Sequence, residues 1–362
     1  MKILHLSSER TWRGGEQQIA YLIDELQKQE VLNFVACRES SAFETYCKKE
    51  KIPFVSMPFS SFSIKTAFLI KKTCKQNNID LIHIHTSRGH TIALLSWFLG
   101  CKTLMVLSRR VDFDVASNWF SHFKYNHSSI KKIICISEKI REIVTKSVKR
   151  TDKCITVHSG VDLSRFNKPC NGVLRKRYNV PDDFFVVGNI SAIAPHKDYH
   201  TFVEVASLVV KENSKVRFFI IGDGPQRLEI EELISRKNLN DCITLTGFIE
   251  NIPEILPCLD AFLITSKTEG LGTTVLDAFA AGVPVVATAA GGIPEMVRNN
   301  ETGMLAEVGN VEALAKHILN LSGNITKREE LAKRAKFAVK QFSKEKMALE
   351  NLKVYKAALD NL

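Results

Sequence analysis

The stretch from Asp260 to Thr288, DAFLITSKTEGLGTTVLDAFAAGVPVVAT, constrains the fold more than any other part of this chain. Residues 260–266 are a short apolar run suited to a parallel-sheet strand covered on both faces, and Glu269-Gly270-Leu271-Gly272-Thr273 interrupts it. From Thr274 the apolar spacing turns helical, with Val275, Leu276, Phe279 and Ala280 on one side, and Gly282-Val-Pro284 closes the helix before a second strand, VPVVAT. Open α/β sheets bind ligands at the carboxyl ends of their strands, so Glu269 in the loop and Asp277 one turn into the helix can both face a ligand crevice. Unpaired amides around Thr273 and Thr274 at the helix start suit a phosphate. A strand–loop–helix unit with an acid in its loop is also common as plain structure, and the rest of the chain has to decide.

At 362 residues the chain exceeds what one core usually supports, which predicts two domains. The balance of 45% hydrophobic and 25% charged residues is that of a soluble globular protein. MKILHLSS is a strand from the second residue and lacks the parts of a signal peptide. The longest apolar run, Thr91 to Leu99, is about half of the roughly 20 residues that span a bilayer. A cytoplasmic protein is the expectation. The nine cysteines are scattered, without metal or redox spacing, and are expected to be reduced and inert.

Charge is distributed unevenly. Residues 1–165 carry 26 Lys and Arg against 15 Asp and Glu, so the whole excess of +11 lies in the first half. Clusters such as Lys71-Lys72, Lys131-Lys132 and Lys146 to Arg150 are either solvated helix faces or faces drawn to an anionic membrane surface. No nucleic-acid motif accompanies them.

Both halves alternate strands and helices. In the first, Ile3–Leu6 leads through Arg13-Gly14-Gly15-Glu16 into a helical pattern, and adjacent glycines there let the backbone approach an anion. Strands are expected near 33–36, 53–56, 80–85, 103–107 and 132–136. His83 and His85 alternate onto one side of their strand, with His85 nearest the ligand-binding end, as a reactive or simply a packed histidine. A metal would need further ligands, and none is evident nearby. Arg109 and Arg110 end the next strand and suit phosphate or carboxylate, or else pair with Asp112 or Asp114. The linker falls at about 160–185. In the second half the strands Phe185–Ile190, Val216–Ile221 and Ile243–Leu245 end in the loops Ala194-Pro-His196-Lys197, Gly222-Asp-Gly224-Pro and Gly247-Phe248, and Gly291-Gly292-Ile-Pro-Glu295 follows the opening stretch.

With these residues in hand, the chain resembles glycosyltransferase family 4, retaining nucleotide-sugar transferases of GT-B fold. Residues 260–297 are similar to that family's E-G-x-G, P-V-V-A-T and G-G-x-x-E signature, joined by Gly222-Asp-Gly-Pro225, Thr246-Gly-Phe248 and Ser159-Gly-Val-Asp162, and more weakly by Gly14-Gly15 and His83-Ile-His85. The resemblance implies two Rossmann-like doubly wound α/β domains facing an interdomain cleft. Residues 1–165 would bind the acceptor, joined by a C-terminal helix at about 346–362, and 166–345 would bind the donor. It implies Glu269 on hydroxyls of the donor sugar, Asp277 on the ribose, and Lys197 on the leaving diphosphate. The amides of Gly14, Gly15, Gly222, Gly270, Leu271, Gly272, Thr273 and Thr274 would line the donor, with His85 beside the anomeric carbon. Arg109, Arg110 and His196 are candidates for acceptor or phosphate.

The implied activity is transfer of a hexose from a nucleotide sugar to a glycan or lipid-linked acceptor in cell-surface polysaccharide synthesis, with no metal and no cofactor. A non-catalytic nucleotide-sugar binder and a GT-B epimerase are the alternatives. Two positions depart from the family pattern: Asp277 stands where Glu is usual, and Ala192 stands where an arginine usually assists the lysine. The expectation is that Lys197 suffices, helped by His196 or by Arg109 and Arg110.

Overall fold

Apolar runs broken by glycine and charged loops become strands of two parallel sheets in the computed structural model, which describes residues 1–60, 63–115 and 118–360. The chain divides into two units, one comprising Met1–Gly160 and the segment from Lys344 on, the other Val161–Ser343.

The first unit holds a seven-stranded sheet: β1 (Lys2–Ser7), β2 (Leu32–Arg38), β3 (Phe54–Met57), β4 (Leu81–Ile84), β5 (Leu104–Arg109), β6 (Ile130–Cys135) and β7 (Cys154–Thr156). Its spatial order, β3-β2-β1-β4-β5-β6-β7, reverses direction between β1 and β4. There His5 pairs in register with His83. One face is covered by the helix Gly14–Gln27 and by the last helix, Lys344–Leu359. Tyr21, Leu22, Leu26, Met347 and Tyr355 pack there on Ile3, Leu81, Val106 and Ile134.

The second unit holds a six-stranded sheet: β8 (Phe185–Ile190), β9 (Val216–Ile221), β10 (Ile243–Gly247), β11 (Ala261–Ile264), β12 (Val285–Thr288) and β13 (Met304–Ala306). Its order, β10-β9-β8-β11-β12-β13, reverses between β8 and β11. Phe202, Phe218, Ile220, Leu263, Val286 and Leu314 belong to its fully buried core. Each unit is a Rossmann-like doubly wound sheet.

Three features depart from the reading of the sequence. The units divide after Gly160 and Ser343, a few residues from the expected 165 and 345, because the Val161 N–H donates to the Phe342 carbonyl at 2.9 Å and draws 161–165 into the second unit. The last helix runs Lys344–Leu359, and residues 361–362 of the expected helix lie outside the described residues. Cys170 and Cys258 form a disulfide across 88 residues of sequence, which corrects the expectation that all cysteines are reduced; no local spacing announces so distant a pair.

Candidate functional site

In the second unit Lys197 follows β8 and Glu269 follows β11, the two strands that flank the reversal of strand order. Hydrogen bonds tie the two loops together. The Lys267 N–H donates to the His196 carbonyl at 2.8 Å, and the Thr265 hydroxyl lies 3.2 Å from the Lys197 carbonyl and 3.0 Å from that of Asp198. Asp198 adopts a left-handed φ of 50° and caps the helix Tyr199–Glu212 through Thr201. Lys197 is thereby aimed at Glu269, its Nζ lying 2.5 Å from Oε1.

The Ser266 hydroxyl donates to the same Oε1 at 2.8 Å. Among the described residues Oε2 accepts no hydrogen bond, although the Glu269 side chain is only 8% exposed. The pair thus leaves one carboxylate oxygen of Glu269 open to a further donor.

The helix Thr273–Ala281 starts from Gly272, whose φ of 86° favours glycine and opens the amides of Thr273 and Thr274 at the helix N-terminus. Asp277 is half-buried in its second turn and has no hydrogen-bond partner among the described residues. Burial pushes its carboxyl up to about 6, with Arg165 acting weakly the other way. Gly222, expected to line the donor, is dictated by packing: at φ 148° an added Cβ would lie 2.1 Å from the Ser191 carbonyl oxygen. His196 and Ala192 are exposed.

In the first unit the reversal point carries three imidazoles. His5 from β1 joins His83 from β4 and His85 just beyond it, with ligand atoms within 4.8 Å of one another. No third ligand was expected near His83 and His85; β1 supplies one. Each ring is already held by the protein. The Asn33 amide donates to the Val31 carbonyl at 2.9 Å, which turns Asn33 Oδ1 toward His5 Nε2 at 3.0 Å. Nε2 of His5 therefore carries the proton and Nδ1 is the acceptor. His85 Nε2 then donates to it across 3.1 Å. His85 Nδ1 is left as an acceptor facing the Arg110 guanidinium at 3.4 Å.

His83 is engaged by the Tyr355 hydroxyl at 2.6 Å and by Ser108 at 2.8 Å. Burial lowers His5 to about 4 and holds His83 and His85 well below the ordinary histidine value. The neighbouring imidazoles and Arg110 push His83 and His85 the same way, so all three are neutral near pH 7. A metal here would have to displace these bonds. Asp112 and Asp114 have D-x-D spacing, but among the described residues no third ligand joins them.

Arg110 lies against Gly15, its Cδ 3.9 Å from where a Cβ would be, and burial brings it down to about 10 against the opposing pull of Glu16. Glu16 accepts from Ser7 and from the Arg13 N–H and so fixes the Gly14-Gly15 turn. Arg109 turns elsewhere: it donates to the Tyr125 hydroxyl at 3.0 Å and to the Phe113 carbonyl, over whose ring it stacks. The structure thus gathers His85, Arg110 and Gly15 in one unit and Lys197, Glu269 and the Thr273–Thr274 turn in the other. His5, Asn33, Glu16 and Ser266 escaped the sequence reading. A histidine inside the apolar strand KILHLS was the signal available for the first of them.

A family model described as Glycosyltransferase Family 4 matches residues 12–165, and one described as Glycosyl transferases group 1 matches residues 172–337. The chain is a family 4 glycosyltransferase. The transferase is 24% identical over 306 residues to the N-acetyl-alpha-D-glucosaminyl L-malate synthase of Bacillus anthracis, with 82% of this chain and 80% of that one covered. It is 28% identical over 315 residues to the 2-deoxystreptamine N-acetyl-D-glucosaminyltransferase of Niallia circulans, covering 77% and 79%. Its fold is that of GT-B structures. The crystal structure of HepE from Anabaena in complex with UDP and glucose superposes with a TM-score of 0.86 at 21% identity, over 99% of this chain and 100% of that one. The transferase moves a sugar from a nucleotide-sugar donor. No helix among the described residues is long and apolar enough to cross a membrane.

Proposed function

We propose that the enzyme transfers a hexose with retention of anomeric configuration and without a metal, onto a glycan or lipid-linked acceptor of a cell-surface polysaccharide, at the inner face of a membrane. The observation that carries this reading is the buried Lys197–Glu269 pair at the reversal point of the second sheet. The hard step is departure of a nucleoside diphosphate while positive charge builds on the sugar, and fixed donors aimed at the leaving oxygens are the main catalytic term. Lys197 and the Thr273 and Thr274 amides supply those donors. Glu269 Oε2 accepts a sugar hydroxyl, and Asp277 accepts the ribose hydroxyls. The acceptor oxygen forms its bond to the anomeric carbon on the face from which the phosphate oxygen leaves, and that oxygen takes the acceptor's proton. His85, neutral and fixed by His5 and Arg110, serves the acceptor side within the first unit.

Contact with an anionic membrane is supported by stacked rings on the basic unit. Phe98 and Trp119 are 61% and 76% exposed, both stack on Phe123, and Lys102 lies over the ring of Trp97.

Donor hydrolysis tests the chemistry: wild type hydrolyses its donor slowly, Glu269→Ala does not, and EDTA changes neither. Inhibition by EDTA that Mn²⁺ reverses would remove the metal-free step. A thermal-shift screen of UDP-, GDP- and ADP-sugars identifies the donor, since a ligand at a hundredfold excess over its Kd adds about 2.7 kcal/mol. Salt-sensitive binding to anionic vesicles tests the membrane contact.

A further inference from the structure

The loop after β1, the end of β2 and the start of the helix Ser87–Phe98 enclose a cavity of about 600 Å³ in the first unit, within the size range of small-molecule sites. Four arginines line it, Arg10, Arg13, Arg38 and Arg88, against one carboxylate, Glu9. Among the described residues none of these four guanidiniums forms a salt bridge.

The cavity is built rather than incidental. The loop is pinned where the Ala42 N–H donates to the Arg10 carbonyl at 3.0 Å. Trp12 packs on Phe43 and Tyr46, and Glu16 holds the Arg13 amide. Ser8 in its lining is held by the Thr86 hydroxyl at 2.8 Å, and Thr86 directly follows His85.

The guanidiniums of this lining can only donate, and Glu9 is the one anionic side chain set against their four positive charges. A neutral sugar needs both kinds of partner and would leave several guanidiniums without counter-charge. A phosphoryl dianion, with three oxygens able to take paired N–H bonds from different arginines, satisfies them. We propose that this cavity binds a phosphoryl group of the acceptor, so that the enzyme glycosylates a phosphorylated acceptor. In assigning the phosphate to the acceptor, the inference rests on the transferase reading. The phosphate could be that of a soluble phosphate ester or of a lipid headgroup, and the same arginines would hold either.

Calorimetric titration of the full chain with glycerol 3-phosphate, and co-sedimentation with vesicles containing phosphatidic acid, probe the two sources. UDP serves as the probe of the donor site. The expected result is that wild type binds at least one phosphate probe, and that Arg38→Gln/Arg88→Gln and, separately, Arg10→Gln/Arg13→Gln weaken that binding at least tenfold with UDP affinity and melting temperature unchanged. Binding of the soluble ester alone, or of the vesicles alone, upholds the site and assigns its source. The proposal is overturned if neither probe binds wild type, if the variants bind as wild type does, or if they lose UDP affinity in equal measure, which would make the cavity part of the donor diphosphate site. Failure of the transferase reading shows differently, as wild type that binds none of UDP, GDP and ADP.

Discussion

Lys197 Nζ and Glu269 Oε1 meet at 2.5 Å although 72 residues separate them, and both side chains are largely shielded from water. The lysine expected to neutralise the leaving diphosphate is held, in the free protein, by the carboxylate expected to hold the sugar. Lys197→Ala should lower donor turnover by about 100- to 1000-fold, the effect of removing one oxyanion donor. It should also destabilise the second unit by about 3 kcal/mol, because it strands a buried carboxylate. Adding Glu269→Gln should restore most of that stability and none of the activity. A double-mutant cycle read by denaturant unfolding and by donor hydrolysis measures both, and additive stability losses would refute the coupling.

Asp277 has the opposite character, an acid that burial keeps protonated to about pH 6, with no hydrogen-bond partner among the described residues. Its folded pKa of about 6 lies above the ordinary carboxylate value, so the native state keeps this proton at a pH where the unfolded chain has lost it. The group adds stability in acid and loses that contribution as pH rises through 6. Asp277→Asn should therefore raise the melting temperature more at pH 8 than at pH 4.5 while weakening nucleotide binding. A difference that does not vary with pH would dispose of the argument.

The Asn33–His5–His85 chain makes Asn33 a positioning residue for His85. Asn33→Leu removes the acceptor that fixes the His5 tautomer and should cost about 1–3 kcal/mol through the unpaired buried group. In ¹⁵N spectra wild type should show His5 and His85 both protonated at Nε2, and the variant a mixture. Retention of single tautomers in the variant would show that Arg110 alone sets them.

Four buried neutral histidines, His5, His83, His85 and His90, make the first unit acid-sensitive. Their folded pKa values lie below the unfolded value, so the unfolded chain takes up protons first. Stability falls as pH drops below the ordinary histidine value toward about 4. Thermal melts at pH 7.5 and 5.0 should show the first unit losing more stability than the second, an order that equal losses would contradict.

Much of this architecture was legible in the residues. β8 and β9 coincide with the strands expected at Phe185–Ile190 and Val216–Ile221, because unbroken β-branched and aromatic runs between glycine loops leave little alternative. Glu269, Asp277 and Lys197 stood out because they follow such runs. The three-residue β13 carries too little pattern to be read, and Cys170–Cys258 depends on two loops brought together only in the fold. The roles of Arg109 and Arg110 were equally opaque. Adjacent and identical in type, they point to different neighbours, Tyr125 and His85, and only the twist at the end of β5 separates them. The arginine cavity was hidden for a related reason, its members coming from residues 10, 13, 38 and 88.

The last helix carries a consequence for how the chain matures on the ribosome. Tyr355 is fully buried and hydrogen-bonded to His83, and Met347, Val354 and Ala358 complete the same core beneath β1, β4 and β5. Those residues are made after the whole of the second unit. The second unit, continuous from Val161 to Ser343, has all its strands before Lys344 is translated. Vectorial synthesis thus completes the later-encoded unit first, leaving the earlier one with an open apolar face until the helix Lys344–Leu359 emerges, the interval in which a holdase would find its target.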